Sequence, residues 1–194
     1  NFNKKKIFSK LNVSFSKGEK ILVTGPTGIG KSTFLDIFSG LLQVDTGKIL
    51  LSFDQKEFPL GSSWKSQISY LSQQGFLRDD SVINNVFEFL PDYWIAKNSN
   101  ASLDDFYQKA REQLNFVELL DELSSSEEEI FDYRIGERGN KLSGGQKQRL
   151  LLAQSLVKNK SIIIIDEGLN ALNEDLESKI LNKLINMKEL TLLY

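Results

Sequence analysis

The stretch Gly25-Pro26-Thr27-Gly28-Ile29-Gly30-Lys31-Ser32 decides the fold of this chain of 194 residues. It follows the unbroken apolar run Ile21-Leu22-Val23, which is typical of a buried strand in a parallel sheet. It precedes a segment whose apolar spacing predicts a helix from about Lys31 to Gly40. A glycine-rich loop between a strand and a helix, ending in Lys-Ser, matches the phosphate-binding pattern GxxxxGK(S/T).

The side chains of this loop suit a nucleoside triphosphate with Mg²⁺. Glycines allow backbone N–H groups to point at phosphate oxygens, and the helix N-terminus adds partial positive charge. Lys31 is predicted to reach the β- and γ-phosphates, Ser32 to ligate Mg²⁺, and Thr33 to offer a further hydroxyl. The predicted nucleotide-binding residues of the loop are Gly25, Pro26, Thr27, Gly28, Ile29, Gly30, Lys31, Ser32 and Thr33.

The loop by itself leaves alternatives open. A glycine-rich turn could simply join a strand to a helix, although the Lys-Ser ending has no structural purpose in such a turn. The pattern also does not separate kinases, GTPases and ATP-driven motors from one another.

Two adjacent carboxylates, Asp166 and Glu167, follow the apolar run Ile162–Ile165. Ligands of open α/β sheets bind at the carboxyl ends of strands. Asp166 is therefore predicted to hold Mg²⁺, and Glu167 to orient or deprotonate an attacking water. The alternative is a charged pair that only ends a strand.

The composition limits the chemistry that is available. The chain has no cysteine and no histidine, so disulfides and thiolate sites are excluded and proton transfer must fall to Asp, Glu or Lys. The formal net charge of the chain is −2, and the Lys and Arg residues are scattered along it. Both observations argue against a nucleic-acid partner. The longest aliphatic runs are far too short to span a bilayer, so we expect a soluble cytoplasmic domain.

The chain as a whole predicts an α/β fold: a P-loop NTPase core with N-terminal antiparallel β strands and an inserted α-helical subdomain. We assign 1–73 and 146–194 to the ATP-binding core, and 74–145 to the helical subdomain. Besides the elements named above, strands are predicted at Leu11–Phe15, 48–51, 68–71 and 190–194. Helices are predicted at 81–90, 103–114, 116–123 and 174–186, with a flexible surface loop at Ser124–Glu129.

Leu142-Ser143-Gly144-Gly145-Gln146-Lys147-Gln148-Arg149 resembles the signature motif of ABC ATPases. It lies between the glycine-rich loop and the Asp-Glu pair, in the order of that family. Without the resemblance, Ser-Gly-Gly before a helix is an ordinary N-terminal cap. The resemblance implies that Ser143, Gly144 and Gly145 reach the γ-phosphate of ATP bound to a second subunit, in a head-to-tail homodimer.

Other segments extend the resemblance over nearly the whole chain. Tyr70-Leu71-Ser72-Gln73-Gln74 is similar to the Q-loop, with Gln73 implied as the residue that senses Mg²⁺ and the attacking water. As a lone glutamine after a strand, Gln73 could equally be a surface residue. Phe2 lies near the position of the family's adenine-stacking aromatic, or is a terminal residue without that role.

The later motifs depart from the family pattern in three places. Residues 168–173 occupy the D-loop, which ends in Asn173 where the family usually has Asp. Ile135-Gly136-Glu137-Arg138-Gly139 resembles the segment of exporters that touches the transmembrane partner, with Arg134 where a glutamate is common; it could also be an ordinary glycine-bounded loop. The family's switch histidine would follow residues 190–194, so the resemblance implies a C-terminally truncated chain, the alternative being a member without that histidine.

The resemblance therefore implies the ATP-binding, ATP-hydrolysing domain of an ABC exporter, with ATP and Mg²⁺ as cofactors. Its partners would be a transmembrane domain, fused or separate, and a second copy of the nucleotide-binding domain, at the cytoplasmic face of the inner or plasma membrane. The alternative from another class is a soluble, non-transport ABC ATPase that acts on DNA or ribosomes. A P-loop phosphotransferase or GTPase is a third hypothesis, against which the signature motif argues.

Overall fold

A computed structural model describes residues 7–53, 56–72, 75–87, 94–95, 98, 101–123 and 127–194. The chain forms two compact units. Unit 1 comprises 1–70, 160–166 and 188–194, and unit 2 comprises 71–159 and 167–187.

Unit 1 is built on a four-stranded sheet with the strand order β1-β6-β5-β4. Its strands are β1 (Lys20–Ile21), β4 (Ile68–Leu71), β5 (Ile162–Ile165) and β6 (Thr191–Leu193). β1 and β5 both run parallel to β6, and an N–H of Val23 extends the pairing by donating to Tyr194 at 2.7 Å. All four residues of β5 are buried, as the unbroken apolar run predicts.

Helix α1 (Lys31–Ser39) packs its apolar face against this sheet. Leu35 joins Ile162, Ile164 and Leu193 in the buried core of the unit. The helix ends where the sequence predicts, because Gly40 takes the left-handed conformation (φ 77°) that favours glycine as a C-cap. Partly buried side chains that surround this core are Ile21, Val23, Phe34, Phe38, Trp64, Ile68 and Tyr70.

The antiparallel part of the fold is a hairpin of β2 (Leu50–Phe53) and β3 (Lys56–Pro59), followed by α2 (Ser62–Ser66). The mixed α/β class, with a parallel sheet and an antiparallel strand pair, is thus confirmed. The predicted strand at Leu11–Phe15 is wrong, because these residues belong to no strand. Alternating polarity does not supply a hydrogen-bonding neighbour: Leu11 and Val13 remain 53% and 52% exposed. Phe15 instead packs edge-on against Phe38, at 5.7 Å between ring centroids.

Unit 2 is helical in its described part. Its helices are α3 (Val82–Phe87), α4 (Leu103–Phe116), α5 (Leu120–Leu123), α6 (Glu127–Asp132), α7 (Gly144–Val157) and α8 (Glu174–Ile185), with a 3₁₀ turn at Glu137–Gly139. α6 overlaps the predicted surface loop at Ser124–Glu129, so that prediction is wrong for residues 127–129. Ile130 and Phe131 explain the helix, since both are buried and give the acidic segment an apolar side.

Aromatic stacking and a buried arginine hold unit 2 together. Phe87 of α3 stacks on Phe106 of α4 with centroids 3.9 Å apart, and both rings are almost fully buried. Arg149 of α7 is 3% exposed and donates to the Glu122 carboxylate and to the Glu118 carbonyl. This pairing compensates for the burial of the guanidinium charge and lowers the pKa of Glu122.

Residues 146–159 and 167–187, which hold most of α7 and all of α8, group with unit 2 and not with the sheet. The functional division at 73/74 and 145/146 stays a prediction, since it rests on motif order and not on contacts. Within the described part of the chain, no helix combines the length and the apolar character needed to cross a bilayer.

Glu118 gives unit 2 a testable dependence on pH. Hydrogen bonds from Lys179, at 2.8 Å, and from Lys183 hold the pKa of its carboxyl below the ordinary 4.5. A lowered pKa stabilises the fold above the ordinary value, and this contribution disappears as the pH falls through the lowered pKa. We expect Glu118→Gln to lower the free energy of unfolding by up to about 1 kcal/mol at neutral pH, and by nothing in strong acid.

Urea unfolding of both proteins across this pH range measures the difference. Glu57→Gln, which removes an exposed carboxylate of β3, is the matched control. A Glu118→Gln effect that stays the same from neutral to acid pH would contradict the ion-pair explanation.

Candidate nucleotide site

The loop of residues 25–32, called the phosphate loop below, has the backbone conformation that its glycines permit. Gly25, Gly28 and Gly30 all have positive φ angles, at 153°, 80° and 113°. Gly30 shows why glycine is needed: a Cβ at this position would lie 2.6 Å from Cγ2 of Ile7. Any other residue would combine left-handed strain with a collision.

The first turn of α1 is left open toward the loop. Its N-cap residue is Gly30, and no side chain caps the helix. The N-terminal N–H groups of a helix need an acceptor, and an anion can supply it. The ammonium of Lys31 lies over the loop, where it donates to the Gly25 carbonyl at 2.9 Å and approaches the Pro26 carbonyl at 3.5 Å. A cation and an uncapped helix N-terminus thus meet at the same loop, as the sequence predicts.

The two predicted metal ligands of unit 1, Ser32 and Asp166, are hydrogen-bonded to each other. The Ser32 hydroxyl donates to Oδ1 of Asp166 at 3.1 Å, which joins the first turn of α1 to the end of β5. The second carboxylate oxygen, Oδ2, accepts from the hydroxyl of Tyr70 at 3.2 Å. Each oxygen of Asp166 therefore has one hydroxyl donor, on two different elements.

Tyr70 of β4 begins the segment that is similar to the Q-loop, but motif matching assigned it no role. Burial raises the pKa of its phenol well above the ordinary 10.0, and the neighbouring carboxylates of Asp166 and Asp36 act in the same direction. The hydroxyl therefore remains a protonated donor. The signal in the sequence was the place of Tyr70 at the start of the Q-loop-like segment, inside the predicted strand 68–71.

Glu167 has an unusual backbone conformation. Its φ is 54°, in the left-handed region that residues other than glycine rarely adopt, and its side chain is exposed. Such strain is found disproportionately at active sites, where the surrounding structure maintains it.

Ser143, Gly144 and Gly145 form the N-terminus of α7. The Ser143 hydroxyl accepts from the Gln146 N–H at 3.2 Å, and the Gln146 side chain accepts from the Ser143 N–H at 2.9 Å. This is a complete capping box. Ser143 and Gly144 are exposed at this end of the helix.

The segment 168–173 packs directly on this helix end. A Cβ on Gly145 would lie 3.2 Å from the Ala171 carbonyl and 3.1 Å from Leu172. Gln148 fastens the segment, since it donates to the Asn170 side chain at 2.7 Å and accepts from the Ala171 N–H at 2.8 Å. Motif matching included Gln148 but assigned it no role; its contacts appear only in the folded chain.

The structure thus bonds Ser32 to Asp166 and holds the Lys31 ammonium on the phosphate loop within unit 1, and it places Ser143–Gly145 at a helix end of unit 2. Thr33 lies in the first turn of α1, and Thr27 and Ile29 are exposed in the phosphate loop. The predicted roles of Gln73 and Phe2 lie outside the described residues.

The fold and the phosphate loop define an α/β nucleotide-binding domain. The family model for ABC transporters matches residues 8–170. That range is most of the chain, and the chain therefore belongs to the ABC transporter family. Membership in this family implies ATP binding.

Similar proteins include exporters. An ATP-dependent lipid A-core flippase of Desulfotalea psychrophila is 28% identical over 188 residues, which are 97% of this chain and 31% of the flippase. The glutathione/L-cysteine transport system ATP-binding/permease protein CydC of Bacillus subtilis is 31% identical over 93% of this chain and 30% of CydC. The chain spans about 30% of the length of these relatives.

A solved structure of a bacterial Atm1-family ABC exporter with ATP bound has the same fold. It matches with a TM-score of 0.77 over 100% of this chain and 32% of the exporter, at 24% identity. At this identity the likeness establishes the fold alone.

Lys31 provides the first test of the site. We expect Lys31→Ala to weaken ATP binding by about 10-fold or more, because the ammonium at the loop would be lost and charge-assisted hydrogen bonds to phosphate are worth about 1.5–3 kcal/mol. Titration with a fluorescent ATP analogue measures the change. Lys158→Ala, which removes an equal charge at the end of α7, is the control and should bind as the unaltered protein does. Equal affinity of the Lys31→Ala variant would contradict the assignment.

Proposed function

We propose that this chain is the ATP-binding and ATP-hydrolysing motor domain of an ABC membrane exporter. The observation that carries the proposal is the hydrogen bond from Ser32 to Asp166, in a chain whose Lys31 ammonium lies on the phosphate loop and which has the family's signature motif. The named functions of the relatives, a lipid flippase and a transport-system permease, support the exporter assignment.

The residues of unit 1 fit ATP with Mg²⁺. The phosphate loop offers backbone N–H groups, an uncapped helix end and the Lys31 ammonium to the phosphates. Ser32 and Asp166 offer oxygen ligands, the type that Mg²⁺ prefers. Their hydrogen bond brings the Ser32 hydroxyl oxygen within 3.1 Å of Oδ1 of Asp166. With Gln73 they would hold the ion, which supplies charge neutralisation at the phosphates.

Glu167 is the proposed general base. With no histidine in the chain, the proton of the attacking water falls to Asp, Glu or Lys, and Glu167 is the carboxylate that we assign to this role. Glu167 follows the proposed metal ligand directly, its side chain is exposed, and its backbone has a φ of 54°. Gln73 is the second candidate for orienting the water.

The second proposed surface is the end of α7, formed by Ser143, Gly144 and Gly145. The exposed hydroxyl of Ser143 and the N-terminus of a helix of 14 residues favour an anion. In the proposed head-to-tail homodimer this anion is the γ-phosphate of ATP held by the other copy. Gln148 and Gly145 keep the segment 168–173 against the same helix end. The segment and the helix end would therefore contact the second copy of the domain together.

The turn at Glu137–Gly139 is the proposed contact with the transmembrane domain, which would place the chain at the cytoplasmic face of the membrane. Arg138 has a φ of 50° inside this turn, and Glu137 and Arg138 are exposed. Ile135 anchors the turn, because its side chain is fully buried and its N–H donates to the Asp80 carbonyl at 3.1 Å. A rigid turn with two exposed charges suits transmission of movement to a partner.

Glu167→Gln tests the reaction. The variant retains the shape of the side chain but cannot accept a proton, so we expect ATP binding to persist and hydrolysis to fall by about 10²–10⁴-fold. Phosphate release measures hydrolysis, and size-exclusion chromatography with ATP and Mg²⁺ tests whether the trapped variant forms a dimer.

Glu174→Gln, at the first residue of α8, is the matched control and should hydrolyse ATP at the normal rate. Undiminished hydrolysis by Glu167→Gln would exclude Glu167 as the base. A variant that binds ATP but stays monomeric would argue against the proposed dimer.

A further inference from the structure

Tyr70 is a polar residue of unit 1 that the proposed mechanism does not use. Its ring packs beside the buried core of the unit, and its hydroxyl points to the end of β5. There it donates to Oδ2 of Asp166 at 3.2 Å, while Ser32 donates to Oδ1. The Asp36 carboxylate, one helical turn after Ser32 in α1, is also near the phenol.

The geometry points to Tyr70 as a positioning residue that holds the Asp166 carboxylate in the orientation needed to bind Mg²⁺. This inference rests on the proposed function, and it assigns a determinant of Mg²⁺ affinity to a residue to which the motifs give no role.

A carboxylate at the end of a strand can rotate about its side-chain bonds, and this rotation weakens a metal site. The Ser32 bond alone cannot fix Asp166, because the same hydroxyl is a proposed ligand of the ion. A donor that is not itself a ligand can keep its bond while the other oxygen faces the metal. Hydrogen bonds of this kind orient metal ligands, and their loss typically costs about 10–100-fold in metal affinity.

The position of Tyr70 also explains why the donor is a phenol. β4 and β5 are neighbours in the sheet, and Tyr70 is the third residue of β4. From there a long, rigid side chain can reach past the end of β5, whereas a serine or threonine would be too short. The ring contributes to the core and would do so equally well in phenylalanine, so only the hydroxyl is specific for Asp166.

A purely structural role makes a different prediction. If the hydroxyl merely finds a partner at the edge of the core, its removal should alter stability but not the dependence of nucleotide binding on Mg²⁺. If it positions Asp166, binding of the nucleotide without Mg²⁺ should persist and the Mg²⁺-dependent part should change.

The test is Tyr70→Phe in the purified protein, with a fluorescent, non-hydrolysable ATP analogue as the probe. Fluorescence anisotropy in EDTA gives the affinity for the analogue without Mg²⁺. A Mg²⁺ titration then gives the Mg²⁺ concentration at which the increase in analogue binding is half-maximal. We expect this concentration to rise by about 10-fold or more, with unchanged affinity in EDTA. Tyr107→Phe is the matched control, because Tyr107 lies in unit 2 with its ring against Phe106 and Phe131. It should leave both quantities as they are.

Two results would overturn the inference. One is a Mg²⁺ dependence for Tyr70→Phe equal to that of the unaltered protein. The other is an equal loss of affinity with and without Mg²⁺, which would assign the hydroxyl a structural role only. Failure of the unaltered protein to bind the analogue at any Mg²⁺ concentration would instead contradict the proposed function, and with it the basis of the inference.

Discussion

Parallel pairing through β6 is the constraint on which the site depends. β1 and β5 are far apart in the sequence, yet both pair with β6 and run in the same direction. Their carboxyl ends therefore lie along one edge of the sheet, where the phosphate loop leaves β1 and Asp166 leaves β5. The Ser32–Asp166 bond can form only because of this arrangement, and the chemistry that we propose for the chain begins from it.

The site is built from backbone conformations that cost free energy. The phosphate loop avoids much of this cost by placing glycine at its left-handed positions, whereas Glu167 bears it in full. Ile165 before it and Leu169 after it are both buried. In unit 2, side-chain hydrogen bonds hold the proposed contact surface in place. Arg149 bonds to the Glu122 carboxylate, and Gln148 bonds to the segment that packs on the end of α7.

Much of the fold could be predicted because its signals are local. β4 and β5 begin and end at the predicted residues, and α1 stops one residue before Gly40, since apolar runs and a glycine C-cap act within a few residues. The wrong predictions concern segments whose secondary structure depends on contacts with other parts of the chain. Residues 11–15 alternate like a strand without becoming one, and the acidic segment at 127–129 became helical because Ile130 and Phe131 are buried.

The sequence by itself determined the phosphate loop, the Asp-Glu pair after an isoleucine strand and the signature motif, and therefore the family and the proposed chemistry. These motifs are contiguous, so the order of residues is enough to reveal them. Only the tertiary structure decided that Tyr70 donates to Asp166 and that Gln148 holds residues 170 and 171. Tyr70 and Asp166 are separated by 96 positions, and no local pattern specifies a hydrogen bond between side chains that only folding brings together.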